Sequence, residues 1–340
     1  MPIPLRSLWL SLLASVSWLA PSASAVTIDW VDVGDPGNAC DTQSQGCFGS
    51  VASRYRIAAT EVTNAQYAEF LNAVAATDSH ALYNTSMANA GAGFGGIDRS
   101  GSAGSFGYTA VAGRESMPVN YVSFWDALRF ANWLHNGQPT GAQGAATTED
   151  GAYTITAQGM ADNTIARNPG ATIFLTSEDE WYKAAYYDAL SASYLDYPAG
   201  SNTQTVCADP GATPNTANCG NSLGNLTAVG SYPGAASPAG TYDQGGNVWE
   251  WNQAILFDDF RGLRGGSFNH DPGNLAASIQ SLTTPDAESS IYGFRVASIP
   301  EPGTALLLAS GLTGLALRRR RTRRPGIAGV TREFLPFSRS

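Results

Sequence analysis

Basic and metal-binding side chains are scarce in this 340-residue chain, which carries a formal net charge of −9. Arg6 and eight arginines after residue 317 lie near the ends, so residues 26–300 hold ten basic side chains against 26 acidic ones. This surplus of acidic groups argues against nucleic-acid binding, because contacts with phosphate require many Lys or Arg side chains. Only three histidines and four cysteines are available for metal or redox chemistry. Glycine and proline are plentiful, with 37 and 18 residues, which is typical of a loop-rich globular protein.

The N-terminus has the features of a secretory signal peptide. Arg6 supplies the positive charge, residues 8–19 the apolar stretch, and Ala23-Ser24-Ala25 the small-residue cleavage site. We therefore expect signal peptidase to remove residues 1–25 by cleaving after Ala25, and the remaining chain to be exported.

The four cysteines form two local pairs, which agrees with an oxidising compartment. Cys40 with Cys47 and Cys207 with Cys219 are the natural bridges, although four cysteines allow three connectivities. Loops this short stabilise a fold by roughly 2–3 kcal/mol each on the chain-entropy model. A thiolate metal site is the alternative, but the C-x-x-C spacing typical of such sites is absent.

Three helices are predicted from their N-caps. Thr63, Ser123 and Ser177 each precede a run with helical apolar spacing. The best strand candidates are residues 26–33, 55–59, 173–175, 261–268 and 292–297. Residues 84–113, 136–170, 198–240 and 245–251 are expected to be loops, the last of them held in the core by Trp249 and Trp251.

Eight sequence blocks occur in an order that is typical of one protein family. They are residues 55–62 (YRIAATEV), 63–70 (TNAQYAEF), 118–134 (PVNYVSFWDALRFANWL), 175–185 (LTSEDEWYKAA), 229–233 (VGSYP), 240–251 (GTYDQGGNVWEW), 263–268 (LRGGSF) and 293–297 (GFRVA). With these blocks the chain resembles the formylglycine-generating-enzyme, or sulfatase-modifying-factor, family over roughly residues 28–298. The resemblance implies one α+β domain at residues 26–298, with a C-type-lectin-like variant of the family fold and little regular secondary structure.

The C-terminal segment carries a second resemblance. Pro300-Glu301-Pro302 precedes an apolar run at residues 304–317, and four arginines follow directly at 318–321. This order resembles the PEP-CTERM sorting signal of Gram-negative bacteria over residues 299–321. It implies transient anchoring in the inner membrane, cleavage by an exosortase and release to the cell surface or the medium. Residues 322–340 continue as a basic tail of unknown role, whereas such signals usually stop after the arginines.

The family's oxidase chemistry is not expected in this chain. Members that make formylglycine oxidise a substrate cysteine with oxygen, using Cu(I) held by two cysteines. By position after the block at 263–268, these cysteines correspond to His270 and Leu275. Because Cu(I) prefers thiolates and leucine offers no donor, copper is not expected. If activity remains, the resemblance assigns it to His270 and Ser267.

Iron is not expected either. A second branch of the family contains iron-dependent sulfoxide synthases, whose histidine ligands come largely from an extra helical domain. This chain has only His80, His135 and His270, and no room for that domain.

Calcium is the cofactor that the resemblance does predict. The family's calcium loop falls on residues 241–250, and its ligands by position are the side chains of Asp243 and Glu250 with the carbonyls of Gly246 and Val248. Calcium takes six to eight oxygens of these kinds. Alternatively, Asp243 caps a turn and Glu250 forms an ion pair, for which Arg264 is one candidate partner.

Two functions remain open. The first is an exported ligand-binding or structural protein of the cell surface or matrix, which displays the polar residues 269–290 to an exopolysaccharide or another exported protein. The second is a metal-dependent oxidoreductase of the family with altered ligation. Only the second predicts copper or iron bound near stoichiometry.

Overall fold

The computed structural model describes residues 25–88 and 93–300. Most of the predicted signal peptide lies outside these ranges, as do Glu301, Pro302, the apolar run at 304–317 and the tail at 322–340. Within the described ranges, no helix is long and apolar enough to cross a membrane.

Four α-helices lie in the described part of the chain. They are α1 (Asn64–Val74), α2 (Phe124–His135), α3 (Ala157–Ala161) and α4 (Glu178–Tyr186). The predicted caps Thr63, Ser123 and Ser177 begin α1, α2 and α4, and each side chain accepts a hydrogen bond from the third residue of its helix. These three predictions are therefore confirmed, because a capped first turn satisfies amide groups that the helix cannot pair itself. Helix α3 falls in a segment predicted as loop.

Sixteen short strands occur in the same ranges. They are β1 (Trp30–Val33), β2 (Asp41–Gln43), β3 (Gly46–Phe48), β4 (Tyr55–Ala58), β5 (Ile97–Ser100), β6 (Gly107–Ala110), β7 (Ile173–Leu175), β8 (Tyr187–Asp188), β9 (Ser193–Tyr194), β10 (Val206–Cys207), β11 (Thr216–Ala217), β12 (Trp249–Leu256), β13 (Phe260–Arg264), β14 (Ser281–Thr283), β15 (Tyr292–Gly293) and β16 (Val296–Ser298).

Two four-stranded sheets organise these strands. The first has the order β1-β4-β16-β7 and is antiparallel throughout. The second has the order β14-β13-β12-β15, in which β15 runs parallel to β12. The predicted strand at 292–297 is thus wrong as one element, since β15 and β16 belong to different sheets.

Strand β12 corrects the prediction of a loop at residues 245–251. Trp249 and Trp251 are buried as expected, but they begin an eight-residue strand rather than anchoring a loop. The first four residues of β12 are all buried, so the alternation that identifies a half-exposed strand is absent. Likewise, the hairpin β5–β6 lies in a segment predicted as loop.

Aromatic side chains fill the core between α1, α2 and the first sheet. Tyr67 and Phe70 of α1 meet Phe130 of α2 with ring centroids 6.0 and 5.4 Å apart. Phe294, which lies between β15 and β16, packs against Phe130 at 5.4 Å. This packing fixes β15 and β16 in place against α2.

Both predicted disulfides are present. Cys40–Cys47 closes the hairpin β2–β3, and Cys207–Cys219 ties β10 to the residues that follow β11. The second bridge is the better buried of the two, because Cys219 is fully inaccessible.

Candidate functional site

The positions of the family's copper ligands lie directly after β13. Gly265 and Gly266 lead out of the strand with φ values of +98° and +77°, a region that favours glycine. A Cβ at Gly266 would come within 2.8 Å of the Leu275 side chain. The two glycines therefore allow residues 267–275 to fold back tightly against β12.

Ser267, His270 and Trp249 meet at this turn. The Ser267 hydroxyl lies 2.7 Å from Nδ1 of His270 and 2.8 Å from Oδ1 of Asn269. The indole N–H of Trp249 donates to the same His270 Nδ1 over 3.3 Å, and the two rings meet edge to face. The structure thus brings together Ser267 and His270, the pair that the resemblance names for any remaining activity.

The contacts of His270 define its protonation. Because an indole nitrogen can only donate, Nδ1 of His270 acts as acceptor and the ring proton sits on Nε2. Burial lowers the pKa of His270, and Asp271 opposes this only in part. The imidazole is therefore neutral at physiological pH, while the Ser267 side chain is fully buried.

Leu275 occupies the position of the second family cysteine. Its side chain is fully buried and packs with Ala217 and Cys219. A short 3₁₀ turn, Pro272–Leu275, carries it inward, and its carbonyl accepts a hydrogen bond from the Tyr186 hydroxyl over 3.1 Å. The second ligand position is thus a packed hydrocarbon with no donor atom, so these residues do not fit a copper ion.

The remaining histidines do not join this site. His80 lies 3.7 Å from Glu149, and His135 pairs with Thr172 at the end of α2. Across residues 25–88 and 93–300, no group of three or more His, Cys, Asp or Glu side chains is arranged to hold a metal ion. The donor set therefore does not fit the family's iron chemistry.

Glu250 is held in a buried ion pair with Arg295. The Arg295 guanidinium donates to both Glu250 oxygens over 2.6 Å each, and the Trp181 indole donates to Oε2 over 2.7 Å. Although burial alone would lower the pKa of Arg295, Glu250 raises it on balance. The ion-pair alternative is correct for Glu250, but its partner is Arg295, whereas Arg264 pairs with Glu178.

Two more carboxyl groups surround this pair. Glu61 lies 3.9 Å from Arg295 and accepts a hydrogen bond from Asn247. Burial, reinforced by Asp243, raises the pKa of Glu61 well above its usual range. Burial also raises the pKa of Asp243 to about 6, although its carboxylate accepts a hydrogen bond from the Gly230 amide. Glu250, Glu61 and Asp243 thus all act to raise the pKa of the Arg295 guanidinium, an arrangement that the family blocks alone did not reveal.

This arrangement bears on the predicted calcium ligands. Both Glu250 oxygens are committed to Arg295 and Trp181, and one Asp243 oxygen is committed to Gly230. The predicted set then retains one Asp243 oxygen and the carbonyls of Gly246 and Val248, which is half or less of what calcium prefers. The geometry does not fit a calcium site that includes Glu250, and calcium binding itself stays a prediction.

Comparison with protein-family models gives two matches. The model for the sulfatase-modifying factor enzyme 1-like domain matches residues 49–299. The model for the PEP-CTERM protein-sorting motif matches residues 298–321, a motif that implies processing by an exosortase and export to the surface.

Curated relatives match over a shorter stretch. The hercynine oxygenases of Mycobacterium tuberculosis and Mycolicibacterium smegmatis are 30% and 31% identical over 142 and 146 residues. These stretches cover 36% of this chain and 32% of each relative. The chain therefore spans about a third of the length of these relatives.

Solved structures show the same fold. CarF superposes with a TM-score of 0.52 at 22% identity, covering 82% of this chain and all of CarF. Treponema denticola variable protein 1 gives 0.51 at 19% identity, covering 82% of this chain and 98% of that protein. The C-type-lectin-like variant of the formylglycine-generating-enzyme fold, with little regular secondary structure, is thereby confirmed.

Proposed function

The chain belongs to the sulfatase-modifying factor enzyme 1-like family and carries a PEP-CTERM sorting motif, and from this premise we propose that it is an exported ligand-binding protein. It has kept the family scaffold and lost the copper chemistry. The observation that carries the proposal is the buried Leu275 at the second cysteine position, where no ligand atom is left. Because fold alone does not fix function, this replacement and the sorting motif together support the binding role.

The polar residues 269–290 support a binding role. After Leu275 most of this segment reaches the surface, as Ser278, Leu282, Asp286 and Glu288 do. Strand β14 and the residues around it lie at the edge of the second sheet. The segment is thus presented by a rigid support, which reduces the ordering that binding requires.

The route to the surface is part of the proposal. Signal peptidase cleaves after Ala25, and the apolar run at 304–317 then anchors the chain transiently in the inner membrane of a Gram-negative bacterium. Exosortase processing at Pro300-Glu301-Pro302 releases it to the surface or the medium. There it meets its partner, an exopolysaccharide or another exported protein.

A metal-dependent oxidoreductase is the second candidate, favoured by the contact between Ser267 and His270. The donor set opposes it, because the neutral His270 imidazole stands alone and the Ser267 hydroxyl is buried and hydrogen-bonded. In this case His270→Ala should abolish both oxygen consumption with a thiol substrate and the binding of copper or iron.

One experiment separates the two candidates. The exported chain is purified from an oxidising compartment, and its binding to matrix polysaccharides and co-exported proteins is measured beside oxygen uptake with a cysteine peptide. We expect saturable binding without oxygen uptake. Oxygen uptake that His270→Ala abolishes would overturn the proposal, as would the absence of any binding partner.

A further inference from the structure

A polar cleft opens beside the segment that follows Leu275. Three parts of the chain form it: the hairpin β2–β3, the loop after β9 and the residues after the 3₁₀ turn. Its volume is about 270 Å³, close to the lower end of the roughly 300–1,000 Å³ of small-molecule sites. The lining residues are Gln43, Asp196, Tyr197, Asn202, Gln204, Ala276 and Ser278.

Arg264 holds two of the three walls. Its guanidinium donates to the carbonyls of Ala277 and Ile279 over 2.9 and 2.7 Å, which fixes the segment that carries Ser278. The same group lies 4.7 Å from the ring of Phe48 in the disulfide-closed hairpin. Arg264 is fully buried and also paired with Glu178. Its guanidinium is therefore held in place and links these two walls.

The third wall is joined to the others by hydrogen bonds. The Ala277 amide donates to the carbonyl of Asp196 over 2.9 Å, and the Asp196 amide donates to the Asn202 side chain over 3.0 Å. Gln45, at the hairpin tip, donates to the Ser278 carbonyl over 2.8 Å. The cleft is therefore preformed, and a ligand need not order it.

The polar groups of the lining are available to a ligand. The carboxylate of Asp196, the hydroxyls of Tyr197 and Ser278, and the amide of Gln204 lack hydrogen-bond partners within residues 25–88 and 93–300. Together they offer both donors and acceptors. Among the residues that the structure describes, no Lys or Arg lines the cleft, so from these residues an anionic ligand would meet the Asp196 carboxylate and no compensating cation.

We propose that this cleft binds a neutral sugar unit of a polysaccharide, an inference that rests on the proposed binding function. Sugar hydroxyls both donate and accept, which matches the mixed set in the lining. The half-buried ring of Tyr197 offers an apolar face with a polar tip, a combination suited to a sugar's C–H face and its hydroxyls. The acidic body of the protein selects further for uncharged saccharides.

The test uses the exported chain and a panel of neutral glucan, mannan and galactan oligosaccharides, with alginate oligomers as the anionic comparison. We expect at least one neutral oligosaccharide to bind and alginate not to bind. Gln204→Ala and Ser278→Ala each remove one polar side-chain group. Neither changes the backbone groups whose hydrogen bonds join the walls of the cleft. Each should weaken binding about threefold to tenfold, the loss expected for one hydrogen bond. Gln158→Ala, an exposed glutamine change in α3 outside the lining, is the matched control and should leave affinity unchanged.

Three results would overturn the inference. If neutral saccharides bind and both cleft variants bind as well as wild type, the site lies elsewhere and only the cleft assignment fails. If a co-exported protein binds and no neutral saccharide does, the ligand class is wrong while the proposed binding function stands. If nothing binds, the proposed function fails with it.

Discussion

Two regions of the molecule are formed by sequence blocks that are typical of the family. They differ in whether the side chains that the family uses there are present. Around Glu250 and Arg295, each charged group is held by several contacts, and a guanidinium, a carboxylate and an indole interlock at 2.6–2.7 Å. Around His270 and Leu275, one ligand position has become a histidine bonded to its neighbours and the other a buried leucine. The comparison teaches that the fold depends on the first region, whereas the copper binding that the resemblance implies requires two cysteines that the second region of this chain does not have.

The largest effect is expected from Arg295→Met. The change leaves the Glu250 carboxylate buried without its partner, and it also removes the cation near Glu61. Breaking such a pair from one side costs about 3–5 kcal/mol, which urea unfolding would measure. Arg54→Met, at an exposed arginine, is the control and should change the free energy of unfolding by less than about 0.5 kcal/mol. Equal effects of the two variants would show that the network is not what holds the fold.

The disulfides extend the comparison to the cleft and to the Leu275 cluster. Replacing Cys207 and Cys219 by alanine opens the longer loop and removes a buried sulfur that packs against Leu275. We expect a loss of about 3 kcal/mol, and about 2 kcal/mol for the corresponding change at Cys40 and Cys47. Thermal unfolding of the two double variants should rank them in that order, and the reverse ranking would contradict the burial argument.

Lowering the pH should raise the stability of this fold, whereas acid destabilises most proteins. Burial raises the pKa of Asp126 to about 7 and that of Asp243 to about 6, above the value of about 3.9 in an unfolded chain. An acid with a raised folded pKa lowers stability once the pH exceeds its unfolded pKa, and the cost grows until the pH passes the folded pKa. Going from pH 7.5 to 6 should therefore raise the free energy of unfolding by on the order of 2 kcal/mol through these groups.

His270 works against this trend, because its lowered pKa costs stability as the pH falls through the unfolded value. The contrast between wild type and Asp126→Asn isolates the carboxyl contribution. The amide introduced by this substitution would still accept the capping bond from Ser123 but would not titrate. Denaturant melts at both pH values should show a smaller acid stabilisation in the variant, and an identical pH response would refute the assignment.

Much of the scaffold could be predicted from the sequence, because the information there is local. The caps Thr63, Ser123 and Ser177 identify three helices by short-range chemistry, and the disulfide partners lie close together in the chain. The pairing of Glu250 with Arg295 could not be predicted in this way, since it joins residues 45 apart, one in β12 and the other between β15 and β16. The sequence does not predict strand β12, because both faces of its first four residues are buried. The alternation of apolar and polar residues that identifies a half-exposed strand is therefore absent.

Only the part of the site that follows from position in the sequence could be predicted. Counting from the block at 263–268 identifies His270 and Leu275 as the positions of the family's cysteines, and the structure brings His270 next to Ser267. The contact between the Trp249 indole and His270 arises from the fold of β12. The cleft could not be predicted from the sequence, because its walls come from three separate parts of the chain, and Gln45 and Ser278, which join two of these walls, lie 233 positions apart.

Calcium has the smallest expected effect. With Glu250 engaged by Arg295, any bound calcium depends on Asp243 and two carbonyls, so its affinity should be low. Full saturation at 100 times Kd would add about 2.7 kcal/mol, and at millimolar calcium we expect less than about 1 kcal/mol. Melting temperatures with calcium and with a chelator, for wild type and Asp243→Asn, measure this. A large shift that survives in Asp243→Asn would place the ion elsewhere.

The central claim, that the scaffold persists without its copper chemistry, is tested most directly by titration with Cu(I) against a competing chelator. The double variant His270→Cys with Leu275→Cys restores the two thiolates at the family positions and serves as the positive control. We predict that wild type takes no stoichiometric Cu(I) at concentrations where the double variant takes one equivalent. Stoichiometric Cu(I) binding by wild type, accompanied by oxygen uptake with a cysteine peptide, would contradict the account.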